Sequence, residues 1–147
     1  MTAEPEISVF RPDRPGIRKV LGDLEAEIME LVWKRPINQG TTVRDVFEVL
    51  YERRRMAYTT IMNTMTRLAK KHFLRVEKQY AAYIYYPVLK EQEFIDSFVA
   101  RILENLFVEF SGATRAGIEA LPDQEAIASA HARLDEIMRR RASEEEA

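Results

Sequence analysis

The stretch RRRMAYTTIMNTMTRLAKKHFL, Arg53 to Leu74, sets short hydroxyl and amide side chains among cations. Thr59, Thr60 and Asn63 suit the edges of DNA bases. A threonine methyl packs on a thymine methyl, and an asparagine amide can pair with adenine through two hydrogen bonds. Arg53, Arg54, Arg55, Arg67, Lys70, Lys71, Arg75 and Lys78 suit phosphate oxygens, contacts that set register without reading sequence. Glu77 is the one acid between Arg53 and Lys78. Such a cluster on a chain of net charge −2 is the footprint of a phosphate-facing surface. Charge alone leaves a second reading open, a solvated helix face.

Other chemistries find little material. The two histidines, His72 and His131, are far apart and carry no ligand motif, and cysteine is absent, so no metal site and no disulfide is expected. Carboxylates are scattered over helix faces, with no glycine-rich phosphate loop and no nucleophile motif, so neither catalysis nor a cofactor is expected. No apolar run reaches the roughly 18 residues a membrane span needs, and the N-terminus lacks a signal-peptide core. A cytoplasmic protein without membrane insertion is the expectation.

The elements that would position these residues follow from apolar periodicity. Residues 1–20 hold three of the six prolines and little pattern, which predicts a mobile arm. Leu24, Ile28, Leu31 and Val32 recur at helical spacing after Gly22 and Asp23. A second helix is expected after Thr42, an N-cap with Asp45 three residues on, with Val43, Val46, Phe47 and Leu50 as its stripe. On the third helix, residues 57–71, Ile61, Met65, Leu68 and Tyr58 form the core side. Thr59, Thr60, Asn63, Thr66, Arg67 and Lys70 lie opposite. Period-2 alternation in FLRVEKQYAAYIYYPV predicts a β-hairpin joined through QYAA and ended by Pro87.

Beyond Lys90 the composition changes: residues 1–88 carry 15 Lys+Arg against 11 Asp+Glu, and residues 89–147 carry 7 against 13. A long helix over 91–110 has apolar residues sweeping more than half its circumference, and a last helix after Pro122 has a stripe of its own. Two helices cannot cover that much apolar surface between them, which predicts a second copy of the chain. Phe94, Phe98, Ile102, Leu106, Phe110, Leu134 and Met138 are the candidate dimerisation residues.

Three helices followed by a hairpin is the order of a winged helix-turn-helix, whose recognition helix enters the major groove while the hairpin wing meets adjacent backbone. The expected fold is mostly α with a small β-hairpin. It comprises a flexible arm (1–20), a winged helix-turn-helix DNA-binding domain (21–88) and a helical dimerisation domain (89–147).

The segments LGDLEAEIMELVW, TTVRDVFEVL, AYTTIMNTMTRLAKKHFL and AAYIYYPV together resemble the penicillinase-repressor (BlaI/MecI-type) transcription regulators. The resemblance implies a repressor whose winged half binds a palindromic operator in double-stranded DNA and whose helical half makes a homodimer. It implies release through cleavage in the C-terminal half, triggered by a membrane-bound sensor protease. It also implies recognition-helix contacts at Thr59, Thr60, Met62 and Asn63 and a structural role for Trp33. KKHFL stands where members often carry Lys-Gly, and the missing cysteines exclude thiolate copper sensing. Two other readings fit the same elements. One is a winged-helix regulator of another family that binds a small-molecule effector directly between its two domains; the other is a winged-helix protein-interaction module.

Overall fold

The computed structural model describes the backbone of residues 4–146, with side chains except at 137, 138, 141, 145 and 146. It comprises α1 (Asp23–Lys34), α2 (Val43–Arg54), α3 (Tyr58–Lys70), β1 (Leu74–Gln79), β2 (Ala82–Pro87), α4 (Glu91–Glu109), α5 (Ser111–Glu119) and α6 (Gln124–Glu146). The element order is that of a winged helix-turn-helix followed by a helical part, and two compact units divide between Phe94 and Ile95.

In the first unit the apolar stripes of α1, α2 and α3 meet. Ile28 and Met29, Val46 and Leu50, and Ile61, Met65 and Leu68 are buried. Thr42 caps α2 as expected: its hydroxyl accepts from the Asp45 N–H at 3.1 Å, and the Asp45 carboxylate accepts from the Thr42 N–H at 2.9 Å. Such a cap is worth about 1 kcal/mol. The three residues between α2 and α3 turn through Arg55, whose φ of 50° is in the left-handed region usually given to glycine.

The end of α3 uses a second non-glycine residue in that region. His72 has φ 66°, its N–H donates to the Ala69 carbonyl at 3.1 Å, and the Phe73 N–H donates to Leu68 at 2.9 Å. This is the bonding of a Schellman stop. His72 therefore stands where the glycine of a Lys-Gly stop would stand.

The hairpin pairs Leu74 with Pro87 through to Gln79 with Ala82, so its connection is two residues, shorter than the QYAA loop expected. Tyr80, at the first loop position, has φ 56° and is fully exposed. A third stretch of chain joins the sheet at Thr41, which exchanges N–H···O bonds of 2.9 and 2.8 Å with Tyr85. Gly40 beside it lies so close to β2 that a Cβ would sit 1.9 Å from Ile84 Cγ2.

Residues 5–20, expected as a mobile arm, are instead placed on the first unit. A 3-10 turn at Gly16–Lys19 buries Ile17, and Pro5, Val20 and Leu21 are also buried. The Glu6 N–H donates to the Lys71 carbonyl at 2.8 Å. Arg14 and Arg18 pair with Asp23 at the start of α1, and Arg18 also reaches Glu30 at 3.1 Å. The hydrogen bond from Arg14, then the charges of Arg14 and Arg18, lower the Asp23 carboxyl below its ordinary range. Scattered prolines masked this segment because its apolar residues are too few and too irregular to show a period.

Trp33 closes the first unit. Its indole N–H donates to the Leu89 carbonyl at 3.0 Å, and its ring lies 5.5 Å from that of Phe94, which in turn meets Phe73 edge-on at 5.5 Å.

In the second unit, Ile95 to Ala147, α5 stands between the two helices expected in this half of the chain. Gly112 and Gly117 lower its helix propensity, yet the Thr114 hydroxyl ties it to the Phe110 carbonyl at 2.7 Å. Arg133 of α6 donates to the Asp96 carbonyl at 2.9 Å. No helix among the described residues is long and apolar enough to cross a membrane.

Candidate nucleic-acid interface

α3 is held from one side only. With Ile61, Thr64, Met65 and Leu68 buried, its far side presents Thr59, Thr60, Met62, Asn63, Thr66, Arg67 and Lys70. The buried Thr64 is satisfied, because its hydroxyl donates to the Thr60 carbonyl at 2.8 Å. Thr66 bonds back to Met62 in the same way at 2.9 Å. Tyr58 departs from its expected place in the core: it is 44% exposed, with its ring edge-on to Phe47 at 5.4 Å. It sits in the first turn, where no preceding turn of α3 covers it.

The cations divide into two groups. Three are shared with acids of α1: Arg54 pairs with Glu27, while Arg67 and Lys71 lie 3.9 and 3.6 Å from the Glu25 carboxylate. Arg75 pairs with Glu77 and covers the Tyr86 ring at 4.6 Å. For Arg53 and Lys70 no acid partner occurs among the described residues. Arg55 lies over the Tyr51 ring at 5.5 Å, and Lys78 lies near Tyr83 at 6.0 Å. Charges over aromatic rings keep most of their field toward solvent, whereas those beside Glu25 are partly neutralised.

Sequence reasoning missed the acids of α1. Glu25 lies in the first turn, where a helix N-terminus favours an acid, and it accepts from the Gly22 N–H at 3.1 Å. Nothing local indicates that its second oxygen faces α3. Arg44 was also missed. It is an exposed cation in the first turn of α2, where the helix dipole disfavours positive charge.

The residues expected at a dimer face are distributed unevenly. Phe94 is 1% exposed and belongs to the aromatic cluster with Trp33 and Phe73, so it offers no surface to a second copy. Phe98 and Leu134 are buried, Ile102 is half-buried, and Leu106 and Phe110 are exposed. The side chain of Met138 lies outside the described residues. Exposed Val99, Val108 and Leu121 add apolar surface in the same unit.

The penicillinase repressor family model matches residues 21–139. Two relatives, both named transcriptional regulator BlaI, come from Mycobacterium tuberculosis strains CDC 1551 / Oshkosh and ATCC 25618 / H37Rv. Each is 37% identical over 98 residues, spanning 67% of this chain and 68% of the relative.

Proposed function

The chain belongs to the penicillinase repressor family of transcriptional regulators, and we propose that it represses as a homodimer, each copy laying α3 in a major groove of a palindromic operator. The observation that carries this is the outer face of α3. Apart from Met62 it is polar, with short side chains toward its start, and free of acid; it is held by a buried face behind it and flanked by cations and a hairpin.

Thr59, Thr60, Met62 and Asn63 read base edges in this account, while Arg53, Arg54, Arg55, Lys70, Arg75 and Lys78 hold phosphates. Arg67 and Lys71 join them in so far as Glu25 releases them. The exposed apolar residues Leu106 and Phe110, with Val99 and half-buried Ile102, form the face covered by the second copy. Two half-sites about 10 bp apart, or a multiple of that, match two α3 helices on one side of the duplex. Release follows cleavage in the C-terminal unit, triggered by a membrane-bound sensor, and the repressor works in the cytoplasm.

The test is a footprint on the DNA upstream of the protein's own gene, with random duplex in excess. A protected two-fold symmetric site is expected, with affinity falling steeply in salt by a log–log slope of about −0.9 per phosphate contact. Asn63→Ala should relax preference among operator variants, whereas Lys70→Ala should weaken all duplexes about equally. Equal loss on every sequence in both variants would overturn that division of labour.

A further inference from the structure

Between α3, the start of α2 and the hairpin lies an open cleft of about 780 Å³. Its volume is that of a small-molecule site. Met62 and Val76 line it, together with the rings of Tyr83 and Tyr85. Met62, Val76 and Tyr83 are exposed large apolar residues on the side of the unit that also carries the cations. Met62 is already assigned to base edges, but Val76 and the Tyr83 and Tyr85 rings are a poor match for phosphate, and the DNA-facing reading gives them no role.

The polar part of the lining is one-signed. Lys70 and Arg44 contribute positive charge, and no carboxylate lines the cleft among the described residues. Arg44 is shared with Glu48 at 3.4 Å, a pair both of whose members are mostly exposed, and no acid pairs with Lys70 among the described residues. An apolar, aromatic-walled cleft with an uncompensated ammonium at its edge complements one chemical class: a small monoanion with an aromatic or branched apolar body.

We infer that this cleft binds such an amphipathic carboxylate and that its occupancy excludes DNA. Exclusion rests on the reading of α3 as the recognition helix, because Met62 and Lys70 then belong both to the cleft and to the DNA face. Binding in the cleft does not depend on it. The site lies wholly within the first unit, so the ligand acts on the DNA-reading surface itself.

The test uses three soluble probes that share a ring and differ in charge: indole-3-acetate, indole-3-acetamide and tryptamine. Each is titrated into the full-length, 15N-labelled protein while amide shifts are followed. Indole-3-acetate should move the Met62, Val76 and Tyr83 amides and bind about fivefold tighter than the amide, the size of a solvent-exposed ion pair. Tryptamine should bind weakest. Lys70→Gln should erase the preference for the acid over the amide, and Val76→Asp should abolish binding of indole-3-acetate while leaving the thermal melt in place.

Absence of shifts in the cleft at millimolar probe, equal affinity for tryptamine and the acid, or binding that survives Val76→Asp would each overturn the site. Displacement of a bound operator duplex by indole-3-acetate is then measured. Cleft binding that leaves an operator complex intact would overturn the exclusion. A protein that binds the probe but no DNA would overturn the reading of α3 while leaving the site standing.

Discussion

Gly40→Ala should destabilise the first unit by about 2–3 kcal/mol, and Ile84→Ala should recover part of that loss. The new Cβ would lie 1.9 Å from Ile84 Cγ2 and 3.0 Å from the Tyr86 ring, where nonbonded carbons rest at roughly 3.5–4.0 Å. Neither side yields readily. Gly40 precedes Thr41, whose two bonds with Tyr85 pin the backbone, and the Gly40 carbonyl accepts from Arg35 at 3.1 Å. Ile84 is β-branched and restricted at χ1, so Cγ2 does not swing clear without cost.

Overpacking of this kind costs about 1–3 kcal/mol, and losing one of the Thr41–Tyr85 bonds adds about 1 kcal/mol. Reduced freedom of the unfolded chain offsets about 0.4–1 kcal/mol. Ile84 is half-buried, so Ile84→Ala alone should cost about 1 kcal/mol, while in the double variant the clash is gone apart from the Tyr86 edge. A coupling of about 1–2 kcal/mol should therefore appear in the double-mutant cycle. Urea unfolding of the four proteins at one fixed protein concentration measures it, since self-association would otherwise shift the midpoints. Additivity within about 0.5 kcal/mol would refute the argument that Gly40 is required by the closeness of β2.

Three further outcomes are expected. His72→Gly should stabilise the protein by about 0.5–1 kcal/mol in the same assay, because glycine removes the Cβ penalty at φ 66° while loosening the unfolded chain; no gain would mean the imidazole has a compensating contact. Thr41→Val should also stabilise, by about 1 kcal/mol, since the buried Thr41 hydroxyl has no hydrogen-bond partner among the described residues; destabilisation would reveal one. Glu25→Gln keeps an oxygen for the Gly22 N–H but frees Arg67 and Lys71. The log–log salt slope of operator binding should therefore steepen by up to about 0.9 per cation released, and an unchanged slope in a folded variant would show that these two cations stay off the DNA.

Much of the molecule was legible in order of residues alone. The helices α1 to α3 depend on contacts three and four residues apart, and the Thr42–Asp45 cap spans three, so periodicity and spacing determine them. Alternation over Leu74–Val76 and Tyr83–Tyr86 likewise marks the hairpin, and the acid-free outer face of α3 is a property of composition. What only the tertiary structure decided involves residues distant in the chain. Thr41 joins Tyr85, which in turn requires glycine at position 40; Glu25 meets Arg67 and Lys71; Phe94 leaves the expected dimer face for the Trp33 cluster. The short apolar residues near the N-terminus find burial only because a surface built from other segments is there to receive them. Local order is set by neighbours along the chain, whereas these pairings exist only once separate elements are brought within a few ångströms of one another.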